Sequence, residues 1–152
     1  MRLIRRCAVA VLASTSLAAS LLHAEARVWD LTPYEKRYSQ FNEELVIRHF
    51  FADRRDGVFV DVGCYHWKQY STSYYLEEQL GWSGLGIDAL PWLRAGYEKN
   101  RKATRFFNYL VSDSSGAKQT LFAAGPLSST DAERIEAWLP GRERKPIEVE
   151  SR

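Results

Sequence analysis

The sequence predicts an α/β protein built on a mostly parallel sheet, with helices layered on it. Three observations carry that prediction. Val58 to Val62 is a short β-branched apolar run broken only by Asp61, which suits a strand buried within a parallel sheet. Gly63 lets the backbone turn sharply, and a polar loop leads from it to Ser71 or Ser73, either a good helix N-cap. The helix that follows carries Glu77 and Glu78 and is stopped by Gly81 after Leu80. A second short strand, Gly84 to Ile87, then ends in Asp88.

The other elements fall in order around that unit. Thr32-Pro33-Tyr34-Glu35 combines a Thr N-cap, Pro at the first helical position and Glu at the third. Tyr34, Tyr38, Phe41 and Leu45 continue at helical period, with a restart near Ser39-Gln40 that turns Leu45, Val46, His49 and Phe50 toward the sheet. His49 reads as a core-edge residue. Asp53 to Gly57 is the turn into the first strand. Pro91 opens a helix with Trp92, Leu93 and Tyr97 on one face, ending near Asn100 with Lys99, Arg101 and Lys102 at its favourable end. Arg105 to Val111 reads as the third strand, Ser112 to Gly116 as a turn, and Lys118 to Ala123 as a further strand. Thr130-Asp131-Ala132-Glu133 is a capping box for a short helix closed by Pro140-Gly141, and Ile147 to Glu150 alternates like the start of a strand. Strand, glycine turn, helix and strand with an acid at its tip is half of a Rossmann-type unit. The expected architecture is therefore a Rossmann-like three-layer α/β/α domain with the Val58 strand lying centrally.

A chain of 152 residues supplies one domain, and the aromatic content supplies core material. Three of the 21 basic residues and one of the 19 acidic residues lie in the first 26 positions, which leaves 18 of each. No basic stripe remains to bind nucleic acid, and Arg101-Lys102 and Arg142 to Lys145 read as solvated surface. Residues 1–26 read as an export signal peptide or N-terminal membrane anchor: Arg2, Arg5 and Arg6, an Ala/Val/Leu-rich stretch from Cys7 to Leu22, then Ala24-Glu25-Ala26. The remainder, 27–152, is the folded domain. It is expected outside the cytoplasm or held at a membrane by residues 1–26, and in the cytoplasm if translation starts elsewhere. Cys7 leaves with a cleaved signal, so Cys64 has no partner within the chain; it reads as a small turn residue rather than a nucleophile. No metal-ligand cluster is predicted. The stretch Gly63-Cys-Tyr-His-Trp-Lys68 lacks the Gly-x-Gly-x-x-Gly pattern of nicotinamide enzymes.

Several motifs, in sequence order, resemble one family. They are Phe59-Val-Asp61-Val-Gly63, Ser71-Thr-Ser-Tyr-Tyr-Leu-Glu77, Leu80-Gly-Trp-Ser-Gly-Leu-Gly-Ile-Asp88, Asn100-Arg101 and Val111-Ser-Asp113, with Tyr38-Ser-Gln40 and Glu43-Glu44 ahead of them. Together they are similar to the FkbM-type methyltransferases over roughly residues 38–122. That resemblance implies a seven-stranded Rossmann-like fold, S-adenosylmethionine as cofactor and O-methyl transfer to a small-molecule or glycan acceptor. Gly63 allows close approach of a cofactor, and Asp88 is the candidate acceptor for ribose hydroxyls, against the alternative of a turn residue beside a helix start. Asp61 is either a ligand of the methionyl amino group or a carboxylate satisfied by loop N–H groups. By resemblance Asp113 lies near adenine, against the alternative of a turn aspartate. Ser71 is a ligand or a helix cap, and Tyr65 lines the site from the loop. Trp67 stands where the family carries a small residue. No residue is assigned as catalytic base. The chain ends where the family's fourth strand would begin, so the domain is expected to be incomplete relative to seven strands. An apolar sheet edge would then lie exposed and prone to self-association. The alternative is an exported, non-catalytic Rossmann-type binding module.

Overall fold

The computed structural model describes residues 38–152. The N-terminal signal or anchor and the Thr32-Pro33 helix start lie outside the described residues. Helix α1 (Glu43–Phe50) leads through a turn to β1 (Val58–Val62), and α2 (Thr72–Leu80) links it to β2 (Ser83–Asp88). A 3-10 turn (Pro91–Leu93) and α3 (Arg94–Asn100) lead to β3 (Thr104–Asn108). Then come β4 (Lys118–Ala123), α4 (Ala132–Trp138) and β5 (Lys145–Glu150). The class is mixed α/β, with β1, β2 and β3 all parallel and β4 antiparallel to β5.

Strand order in the parallel sheet is β1-β2-β3, so among the described residues β2 is central and β1 lies at an edge. That corrects the expectation of a central Val58 strand. The strand also alternates instead of being buried on both faces: Val58, Val60 and Val62 are 76%, 62% and 57% exposed, while Phe59 and Asp61 face the helices. The cause is topological. β-α-β connections are right-handed as a rule, and two such crossovers advancing in one direction lay both helices on one face. The opposite face of the sheet receives no helix among the described residues.

Local signals fix the element ends. Ser71 caps α2 by accepting from Tyr74 N–H at 3.2 Å, and Gly81 ends that helix in the left-handed region at φ 71°. Asp131, rather than the expected Thr130, caps α4 through Glu133 and Arg134 N–H. α1 starts later than the sequence period implies. Glu44 is buried and reaches back to Tyr38 N–H at 2.9 Å and to the Ser39 hydroxyl, which holds residues 38–41 out of the helix. Of the residues expected to face the sheet, Val46 and Phe50 are exposed, and Ile47 packs on Leu76, Leu80 and Trp82 instead. Trp92, in the middle of the 3-10 turn, is likewise exposed.

Under α3, Tyr97 stacks on Phe106 at 4.8 Å and donates its hydroxyl to Cys64 C=O at 3.0 Å. Gly86 in the central strand makes that packing possible, since a Cβ there would lie 3.2–3.4 Å from Cys64, Tyr97 and Thr104. Beyond the carboxyl ends of the strands, Leu121 and Val149 of the β4–β5 pair pack on Ala89 and Leu90. The pair is tied to the chain after β3 by Leu110 N–H to Glu150 C=O and Arg152 N–H to Leu110 C=O, both 2.9 Å. No helix among the described residues is long and apolar enough to cross a membrane.

Candidate functional site

A cleft of about 190 Å³ opens where the parallel strands end. Its floor is Val62, Gly63, Ile87 and Asp88, and its walls include Tyr65, Leu90, Tyr109, Leu121 and the 125–128 turn. Sheet twist and β-α turns leave such a crevice at the carboxyl ends of parallel strands, where α/β proteins commonly bind ligands.

Asp88 is the charged group in that lining. Its Oδ2 accepts from Tyr65 N–H at 2.9 Å and its Oδ1 from Leu90 N–H at 3.0 Å, so the acid pins the turn after Gly63 to the turn after β2. Asn108 Nδ2 donates to Asp88 C=O at 2.9 Å from the next strand. Burial lifts the Asp88 carboxyl above the usual aspartate range, the two backbone donors oppose that, and the negative charge of Asp61 adds to it. Each oxygen keeps a lone pair after accepting one N–H, so further donors from a ligand can be taken.

Gly63 sits at φ 73°, and a Cβ built on it would meet nothing within 4 Å, so its backbone lies open to the cleft. Tyr65 follows at φ 46°, a left-handed conformation unusual for an aromatic residue. That conformation aims its N–H at Asp88 while its ring packs against the Leu90–Leu121 cluster. The three residues Gly63, Tyr65 and Asp88 thus meet in one site.

Asp61 and Ser71 lie behind that site rather than in its lining. Ser73 donates its hydroxyl to Asp61 at 2.6 Å. Burial raises the Asp61 carboxyl, against that hydrogen bond and the positive charge of Arg101. Asp113 lies exposed in the 112–116 turn, where the Ser112 and Ser114 hydroxyls approach it at 3.2 and 3.3 Å, and it does not line the cleft. His66, beside Trp67 in the loop, accepts Lys68 and Gln69 N–H on Nδ1, and partial burial lowers its imidazolium pKa.

Arg101 corrects the reading of Arg101-Lys102 as a solvated run. Its side chain is fully buried: Nε donates to Glu77 Oε2 at 2.6 Å, Nη1 to Trp67 C=O at 3.0 Å, and Nη2 to Thr104 Oγ1 at 2.9 Å. Burial pushes the Glu77 carboxyl up, but Ala103 N–H, the Thr104 hydroxyl and Arg101 outweigh it and hold the group below the usual glutamate range. Through Trp67 C=O the guanidinium also braces the loop that shapes one side of the site. Cys64 is buried with its thiol pushed up to about 12, chiefly by desolvation, which fits a packing role.

Sequence reasoning missed the far wall of the cleft: Tyr109, Leu121 and the turn in which Ser128 donates to Gly125 C=O at 2.7 Å. The Gly125-Pro126 pair signals a turn, but no local pattern places it opposite Asp88. Among the described residues no cluster of His, Cys, Asp and Glu could hold a metal ion. No family model, curated protein or solved structure matches the chain.

Proposed function

We propose that this chain binds S-adenosylmethionine in the cleft above Gly63 and belongs to the FkbM type of methyltransferase, with an oxygen of a small molecule or glycan as acceptor. On this reading its parallel unit corresponds to the first strands of the Rossmann-like three-layer fold. The observation that carries the reading is Asp88 at the tip of the central strand, facing the open backbone of Gly63.

The chemistry of the cleft fits that cofactor better than a phosphate-bearing one. Asp88 is the charged side chain of the lining and no cationic side chain accompanies it there, which opposes a diphosphate and favours a sulfonium cation. Leu90, Leu121 and Pro126 offer an apolar wall to a ring system, and Asp88 offers acceptors to vicinal hydroxyls. The volume is below the ~300 Å³ of sites that enclose a drug-sized ligand, so it suits the nucleoside end with the remainder lying over Gly63. The cofactor would supply an electrophilic methyl group. The chain's own part is to orient it and exclude water beneath it.

A second reading, a binding module without transfer, is favoured by one observation. The titratable side chains of the lining are Tyr65, Asp88 and Tyr109, and the Asp88 oxygens are taken by two backbone donors and, on the first reading, by the cofactor's hydroxyls, so among the described residues no further carboxylate or imidazole base lines the cleft.

Titration calorimetry of the full chain with S-adenosylmethionine tests the proposal. Asp88→Ala should weaken binding by about tenfold or more, as expected for a lost charged hydrogen bond. Asp88→Asn retains an acceptor for Tyr65 N–H and checks folding. Absence of binding by the unaltered chain, or equal affinity of Asp88→Ala, overturns it. Transfer of labelled methyl groups into a glycan extract then separates enzyme from binding module.

A further inference from the structure

Among the described residues the parallel sheet has two open edges, β1 and β3, and β1 is the one without an exposed charged side chain, Arg105 being exposed on β3. Ser83 N–H donates to Gly57 C=O at 3.0 Å and Gly63 N–H to Ile87 C=O at 2.8 Å. By the two-residue alternation of a parallel ladder, the odd-numbered residues of β1 bond inward to β2. The N–H and C=O groups of Val58, Val60 and Val62 therefore point outward, and no strand among the described residues takes them. The same three valines are exposed on the helix-free face.

We infer that a second copy of this chain occupies this edge, β1 pairing antiparallel with its own copy about a two-fold axis at Val60. The register is self-complementary. Val60 meets Val60 and Val58 meets Val62, so β-branched pairs fall side by side and the sheet continues as β3-β2-β1-β1-β2-β3. Charge argues for this occupant. Asp61 is turned inward to Ser73, leaving no ionised side chain on the exposed side of β1, and a second β1 brings neither charge nor bulk that this edge would have to accommodate. This chain carries such a strand at its own concentration.

α1 extends the surface. It packs on α2 through Ile47 against Leu76 and Leu80, and leaves Phe50 79% exposed. Phe51 contacts Trp82 at 5.3 Å, and Trp82 also covers Gly57 at the start of β1, so these aromatics adjoin the open edge. Five residues of strand plus two aromatic side chains of ~200 Å² each fall short of a large obligate interface. The association is accordingly weak and reversible.

Sedimentation velocity of the full chain, taken up to about 1 mM, tests this. The mass should rise from monomer to dimer, and Val60→Lys, whose charge reaches water in the monomer, should weaken association at least tenfold with an unchanged circular dichroism spectrum. Val60→Cys in a Cys7→Ser background is nearly isosteric and should form a covalent dimer on oxidation. Paired Cα atoms about 5.5 Å apart fall within disulfide range. A monomer throughout overturns the proposal. So does association that Val60→Lys leaves unchanged, as contacts through residues 1–26 would, or Val60→Cys that stays uncrosslinked.

Discussion

On one face of the parallel sheet, Phe59, Gly86 and Phe106 lie beneath two helices, with a buried arginine–glutamate pair threaded between them. On the other, Val58, Val60 and Val62 meet water. Both faces come from the same fifteen or so strand residues, and both offer β-branched or aromatic side chains. What separates them is the direction in which the strands were laid down. A sheet that grows only one way receives its right-handed crossovers on one side, so burial here follows topology rather than hydrophobicity. A parallel strand is apolar all along its length, whether or not something covers it.

The largest expected effect breaks the covered face. Arg101→Ala leaves Glu77 buried without its cation and should cost about 3–5 kcal/mol, measured by urea unfolding. Replacing both partners together with apolar residues of similar size should recover most of that loss, because the desolvation of two charges is removed with their attraction.

A smaller effect comes from acid. The Glu77 carboxyl is held below its ordinary value of 4.5, so the unfolded chain binds its proton first. The stability it contributes is present above 4.5 and lost as pH falls through the lowered folded value. Asp61 and Asp88 work in the opposite sense. Their raised values mean that folding penalises their charge, and the penalty is relieved as pH falls toward 3.8. Asp61→Asn should therefore steepen the acid loss in a pH series of melts, and an unchanged slope would contradict this pairing of signs.

The smallest effect is expected on the bare face. Val58→Thr keeps β-branching at a site 76% exposed and should change monomer stability by less than about 0.5 kcal/mol, read in urea at low protein concentration. A loss near that of a core substitution would mean that the face is covered in solution.

Much of the fold was legible because its signals are local. Gly81 at the helix end, Ser71 at the helix start and the strand ending in Asp88 each depend on a few neighbouring residues. The edge position of β1 was not legible. A run such as Val-Phe-Val-Asp-Val has an apolar residue at almost every position, so no period distinguishes two covered faces from one. Arg101 was misread for a related reason. Next to Lys102 at a helix end it looks like a cation serving the helix dipole, while the residue that decides its depth, Glu77, lies 24 positions away. In the site, Gly63 and Asp88 announce themselves through the strand-turn pattern. The wall from the β4–β5 region depends on a pairing between Leu110 and Ser151 that spans 41 positions, which local pattern cannot supply.

The junction at Arg101 also constrains how this sequence can drift. One guanidinium touches the loop at the Trp67 carbonyl, the helix at the Glu77 carboxylate and the strand at the Thr104 hydroxyl, so among Arg101, Glu77 and Thr104 a step at one side chain needs matching steps at the other two. Related chains should therefore either keep the trio or have exchanged it wholesale, with few intermediates surviving between the two.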